Sequence, residues 1–256
     1  MTEQPVFTGV GVAIVTLFKD NGDLDAPATA QLAVRLVEEG VRAVVVAGST
    51  GEAAALDPQE RIALLEAVRG AVPGAVPVLA GTGAASARQA AALTAAARDH
   101  GADAVLALSP PGCAHPRPYY AAVARAAGDL PVLAYHFPKA SAPGIPVELL
   151  GDLPVRGLKD SSGDPDRLLA ELDAYDGDLY TGSSALLALA GPLGCTGAIL
   201  ALANVAAAGC ASAFAGDAKA QRELAAVHRT AHERFPAGLK QLVAQRYGTS
   251  PVTRLG

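Results

Sequence analysis

The sequence predicts a closed parallel (β/α)8 barrel, a TIM barrel of the α/β class, with a short helical C-terminal extension. Three observations carry the prediction. Short β-branched runs alternate with longer segments of helical period, as parallel strands joined by crossover helices require. Eight such runs can be counted, the number at which a parallel sheet closes on itself. The length of 256 residues is that of one barrel.

The strand candidates are residues 10–15, 43–47, 76–80, 104–108, 132–135, 155–159, 179–181 and 197–200. Helices are expected between them at 27–39, 58–70, 86–100, 119–128, 146–150, 164–174 and 184–190, and an eighth at 205–214 closes the ring. Two further helical stretches, 217–234 and 236–245, follow with no strand between them. The chain therefore divides into a catalytic barrel, 1–214, and an extension, 215–256. Several strands run into small or polar clusters: Gly48-Ser49-Thr50-Gly51-Glu52, Gly81-Thr82-Gly83, Ser109-Pro110-Pro111 and Gly182-Ser183-Ser184. In a barrel all of them fall on the C-terminal face, where this fold builds its active sites.

Composition narrows the function. Hydrophobic residues make up 51%, but Gly, Pro and charges interrupt every apolar run before it could span a bilayer. The first residues, from Met1 to Val6, carry acid and proline where a signal peptide needs a basic and then an apolar region, so a cytoplasmic protein is expected. A net charge of −5, scattered along the chain, offers no stripe for a nucleic-acid backbone. The three cysteines, Cys113, Cys195 and Cys210, have neither disulfide-framework nor zinc-knuckle spacing and suit a reducing compartment.

Lys159 stands out. It ends a strand run in which alternation places Val155, Gly157 and Lys159 on one face, with Arg156 and Leu158 on the other. If the first face is the barrel interior, Gly157 leaves room for a ligand below the lysine. Apolar surroundings favour the neutral form of an amine, the form that attacks a carbonyl. The bland alternative is a rim ion pair between Lys159 and Asp160. Tyr135 ends the neighbouring run and should stand beside Lys159 as a proton relay, unless it only packs an interface. The 48–52 loop has glycines for close backbone approach and hydroxyls beside exposed N–H groups, which suits a carboxylate, although a helix-capping loop would look similar.

Together these residues resemble the dihydrodipicolinate synthase/N-acetylneuraminate lyase family of class I aldolases, over nearly the whole chain. The similarity runs through residues 11–18, Asp23-Leu24-Asp25, the loop at 48–52, the Ala-Gly-Thr-Gly run at 80–83 and Tyr135-His136-Phe137-Pro138. It continues in Gly157-Leu158-Lys159-Asp160-Ser161-Ser162-Gly163 and in Gly194-Cys195-Thr196-Gly197-Ala198-Ile199 before Ala203-Asn204. The resemblance implies a Schiff base between Lys159 and pyruvate or a related 2-oxo acid, an aldehyde as second reactant, and no metal or organic cofactor. It also implies Tyr135 as proton relay, Thr50 with the Ser49 and Thr50 backbone as carboxylate holder beside Gly48, Gly182 and the Ile199 carbonyl lining the site, and a homo-oligomer of two or four chains.

Two departures bear on the second substrate. Where the family's synthases carry an arginine for the carboxylate of aspartate semialdehyde, this chain has Ala140, and Lys139 lacks the guanidinium fork. Where they carry a tyrosine pair, it has Pro111 and Gly112, with Tyr119 and Tyr120 further on at the start of the next helix. These departures suit an aldolase acting on a 4-hydroxy-2-oxoglutarate or 2-keto-3-deoxy sugar acid. Dihydrodipicolinate synthase itself and a non-catalytic 2-oxo-acid-binding barrel are the alternatives. His228 and His232, at i and i+4, have no acidic third ligand nearby and read as an exposed helix face rather than a metal site. His136 is expected to point away from the barrel axis, and Asp160 to orient the following loop.

Overall fold

The computed structural model describes residues 4–255; Met1 to Glu3 of the N-terminal segment, and Gly256, lie outside the described residues. Eight parallel strands close in sequence order. They are β1 (Gly9–Ala13), β2 (Val44–Val46), β3 (Val78–Gly81), β4 (Ala104–Leu108), β5 (Val132–His136), β6 (Gly157–Asp160), β7 (Asp178–Thr181) and β8 (Gly197–Leu200). The helices are α1 (Ala26–Glu38), α2 (Pro58–Ala71), α3 (Ala87–Asp99), α4 (Pro116–Ala127), α5 (Pro165–Ala174), α6 (Leu187–Ala190) and α7 (Ala203–Phe214), then α8 (Ala218–Glu233) and α9 (Ala237–Tyr247). Among the described residues no helix is long and apolar enough to cross a membrane.

Local chemistry sets the helix starts. Asp57 accepts from the Glu60 N–H while Glu60 bonds back to the Asp57 N–H, and Pro58 supplies a preset φ, so α2 begins with a complete capping box. At α5, Asp164 accepts from the Asp166 and Arg167 N–H groups with Pro165 at the first helical position, and Asp217 caps α8. Two expected helices are corrected. Residues 147–152 form a 3-10 stretch, and the helix expected over 184–190 shrinks to the four residues of α6. Each is cut short by helix-breaking residues, Gly151 and Pro154 at the first and Gly191 and Pro192 at the second, and neither is long enough for independent helix propagation.

Two clusters form the core. The outer one joins helices to the backs of the strands. The inner one fills the barrel with Ala13, Val45, Leu79, Leu106, Leu133, Tyr135, Tyr180 and Ile199, and Phe7 plugs the N-terminal end. Phe7 and Tyr180 stack with ring centroids 4.6 Å apart, and glycines make the space they need: a Cβ on Gly197 would lie 3.1 Å from the Tyr180 ring. Gly157 has the same packing role, which corrects the expected ligand room. A Cβ there would sit 2.4 Å from the Asp178 carbonyl oxygen and 2.9 Å from Leu133 Cδ2, so neighbouring strands already occupy the space. Val155 also departs from expectation, since it precedes β6 and packs with the outer cluster. Asn204 closes the ring at the β8–β1 seam, accepting from the Val15 N–H at 3.1 Å and donating to the Ala13 carbonyl at 2.8 Å.

Candidate active site

Strand register places Tyr135 beside Lys159 and Lys159 beside Tyr180, all on the interior face. The two tyrosines part company at their hydroxyls. Tyr180 donates to the Phe7 carbonyl at 2.9 Å, toward the N-terminal end, whereas the Tyr135 ring borders the cavity at the mouth. Lys159 is 5% exposed, and its Nζ lies over the Tyr135 ring, 4.3 Å from the centroid. No ion pair engages it among the described residues. The rim pairing with Asp160 does not form, because Asp160 accepts from Ser162 N–H and Oγ at 2.7 and 2.8 Å and faces Arg167. Asp160 thus shapes the loop after β6, as expected. Gly182 follows β7 against the lysine stem: a Cβ on it would lie 3.0 Å from Lys159 Cε and closer still to Ser161 Oγ. Ile199 is fully buried on the interior face of β8.

Across the barrel, four strands away from β6, β2 leads into the loop of Gly48, Ser49 and Thr50. The loop is held by its own turn, with the Gly51 and Ala53 N–H groups donating to the Gly48 carbonyl at 3.0 and 3.2 Å. Thr16 Oγ1 donates to the Gly51 carbonyl at 2.7 Å. Among the described residues, the N–H groups of Ser49 and Thr50 donate to no protein acceptor. Two adjacent free N–H groups form a concavity that an anionic oxygen completes. The close packing explains the Ala-Gly-Thr-Gly run, since a Cβ on Gly81 would meet the Ala47 carbonyl oxygen at 2.2 Å and Gly48 Cα at 3.0 Å.

A cavity of about 760 Å³ opens from Tyr135, Gly48 and Ser49 outward between α2 and α3. Its walls include Leu93, Leu106, Leu108 and Pro111. Arg61, the cation in its lining, spends its donors on the carbonyls of Leu56, Gly81 and Ala53. Tyr119 and Tyr120 are buried in α4, their hydroxyls donating to the Leu108 and Ala107 carbonyls at 2.9 and 3.0 Å, and neither lines this cavity. Ala140 is exposed, and so is Lys139.

His136 turns away from the axis, as alternation requires. Its Nδ1 accepts from the Ile145 N–H at 2.9 Å, and burial pushes the imidazole down to about 4. Behind β6, Glu171 is fully buried beside Arg167, and burial, together with the Asp160 charge, pushes its carboxyl up to about 8. His228 is half-buried rather than exposed: its Nδ1 lies 2.8 Å from Ser184 Oγ in the loop after β7. Among the described residues no group of three His, Cys, Asp or Glu side chains is placed to hold a metal. Sequence reasoning missed His228 at the mouth and a buried Lys240–Glu52 pair behind the 48–52 loop. The signal for the second was a lysine beside Leu239 and at helical spacing, i and i+3, from Val243.

The family model of the dihydrodipicolinate synthetase family matches residues 6–250. The chain belongs to this family. A 4-hydroxy-tetrahydrodipicolinate synthase of Pseudomonas aeruginosa is 36% identical over 233 residues, 86% of this chain and 80% of that relative. An uncharacterized DapA-like lyase of Halobacterium salinarum is 39% identical over 208 residues, 77% of this chain and 68% of its own. Among solved structures, the chloride-inhibited dihydrodipicolinate synthase of Acinetobacter baumannii complexed with pyruvate superposes with a TM-score of 0.88 at 27% identity, covering 98% of this chain and 94% of that one. YagE of Escherichia coli K12, in complex with pyruvate, gives 0.88 at 26%, covering 96% and 91%. This member of the dihydrodipicolinate synthetase family is accordingly an enzyme, a Schiff-base-forming lyase of the class I aldolase type.

Proposed function

We propose that Lys159 carries the Schiff base to pyruvate or a close 2-oxo acid, and that the enzyme makes or breaks the carbon–carbon bond next to the imine. The observation that carries this reading is the buried Lys159 amine, without an ion-pair partner among the described residues, on a strand opposite the one that leads into the unpaired Ser49 and Thr50 N–H groups. The carboxylate of the 2-oxo acid binds those N–H groups, with the Thr50 hydroxyl beside them, and the carbonyl carbon comes to Nζ. The amine adds, water leaves and a protonated imine forms. It withdraws electrons from the adjacent carbon, which loses a proton to become an enamine and then attacks an aldehyde; the reverse direction releases one. Tyr135, in contact with Nζ, delivers and removes these protons. Gly182 and Ile199 complete the walls.

The aldehyde enters over Tyr135 by the cavity between α2 and α3. Apolar walls, the committed donors of Arg61 and the alanine at 140 support a partner held without an arginine–carboxylate fork. A second reading, condensation of pyruvate with aspartate semialdehyde, is favoured by the name of the Pseudomonas aeruginosa relative. The reading extends to a homo-oligomer, for which the exposed Leu189 and Leu193, one helical turn apart, supply apolar surface. Sedimentation velocity distinguishes a dimer from a tetramer. Borohydride reduction in the presence of pyruvate, with intact mass and peptide mapping, tests the imine: the adduct belongs on Lys159, and its absence at saturating pyruvate sinks the proposal. Turnover with aspartate semialdehyde, compared with a panel of uncharged and sugar-derived aldehydes, separates the two condensations.

A further inference from the structure

The loop after β2 is bounded by two non-glycine residues in the left-handed region, Ala47 at φ 50° and Glu52 at φ 54°. Such a conformation is strained for a residue with a Cβ and persists only where surrounding structure over-determines it. For Glu52 that structure comes from the far end of the chain. Its side chain is fully buried, and Oε2 accepts from the N–H groups of Arg254 and Leu255 at 2.8 and 2.9 Å. Oε1 lies 2.5 Å from the ammonium of Lys240, on α9, which is itself fully buried. Lys240 Nζ also donates to the Val252 carbonyl at 2.7 Å and sits 4.1 Å from the centroid of Phe18. Arg254 lies over the same ring, reaches the Ala55 carbonyl at 2.9 Å and grips Glu60 through two nitrogens at 2.7 and 2.6 Å.

The carboxy-terminal tail is therefore bolted to both ends of the short segment between the loop and α2. A buried ion pair contributes little net stability compared with an apolar pair of the same volume, but removing one partner leaves a stranded charge. What such a pair secures here is the placement of Glu52, and with it the turn that presents the Ser49 and Thr50 N–H groups. We infer that Glu52 and Lys240 are positioning residues, and that α9 and residues 252–255 belong functionally to the active site. The inference rests on the reading that these N–H groups hold the substrate carboxylate.

The test compares Lys240→Met, Glu52→Gln, their double variant and Arg254→Ala with the parent, by two readouts. The first is the pyruvate concentration that half-saturates borohydride trapping, with the trapping rate at saturation; the second is amide exchange, by mass spectrometry, of peptides covering 48–53 and, as control, 132–136. Lys240→Met is expected to raise the half-saturating concentration about tenfold or more while leaving the saturated rate within about twofold. Exchange should speed up over 48–53 and not over the control. The double variant, which strands no charge, should recover part of the affinity. If Lys240→Met does not fold, Arg254→Ala, at a partly exposed site, is judged by the same two readouts. Variants that only lose thermal stability, with loop exchange and half-saturation unchanged, overturn the inference. Absence of an adduct in the parent would refute the imine reading instead, and the exchange data would then decide the loop clamp alone.

Discussion

The amine of Lys159 and the ring of Tyr135 are in contact, 4.3 Å from nitrogen to centroid, because β5 and β6 pair in a register that sets the two residues side by side. Lys159→Ala should abolish pyruvate trapping and leave a folded protein, since the residue stands at the mouth and holds no core packing together. Circular dichroism beside intact mass checks both halves of that expectation.

Tyr135→Phe keeps the ring under the ammonium and removes only the hydroxyl. Trapping should persist, while deuterium exchange at the pyruvate methyl group, followed by proton NMR, should slow by roughly 10²–10⁴-fold. Exchange at the parental rate would remove Tyr135 from proton transfer.

Gly81→Ala places a methyl group 2.2 Å from the Ala47 carbonyl oxygen, against backbone that cannot swing aside. We expect a loss of about 3 kcal/mol in denaturant unfolding and a weaker pyruvate half-saturation, because the displaced chain is the one that leads into Ser49 and Thr50. Gly112→Ala, with no atom near its Cβ but a φ of 77°, should cost less, about 1 kcal/mol.

His136 supplies a pH prediction. Burial holds its folded value at about 4, below the ordinary 6.5, so the unfolded chain takes up the proton first as pH falls. Its contribution to stability is complete above about 6.5 and is lost between there and about 4. His136→Asn should be less stable at pH 8 yet show a flatter decline over that window in melting temperature.

Glu171 runs the other way. Its carboxyl is raised to about 8, so between about 4.5 and 8 the unfolded chain ionises while the folded one stays protonated, and stability falls as pH rises. Glu171→Gln, which cannot ionise, should match the parent near pH 4.5 and exceed it at pH 8 by a few kcal/mol. A parent as stable as the variant at pH 8 would show that Arg167 holds the carboxylate ionised after all.

Much of this was legible in the residues. Eight β-branched runs at regular spacing fix a parallel barrel, because strands with that composition must be covered on both faces. Alternation carried Lys159 to the interior and His136 away from it, since side chains in a strand have no third direction. The places where reading failed are contacts between segments far apart in sequence. The space above Gly157 is taken by Asp178 and Leu133, His228 meets Ser184, and Lys240 meets Glu52. Periodicity describes only which face a residue occupies, not what the opposite element brings to it.

The sequence by itself determined the fold class and the family, because local pattern and ordered motifs suffice for those, and it singled out Lys159 as the lysine to test. Only the tertiary structure decided that Lys159 is left unpaired by Asp160, that Ser49 and Thr50 keep free N–H groups, and that the tail of the chain braces their loop. Each of these depends on how the closed ring brings opposite strands and the carboxy-terminal tail to one mouth, a distance relation that the linear order of residues does not contain.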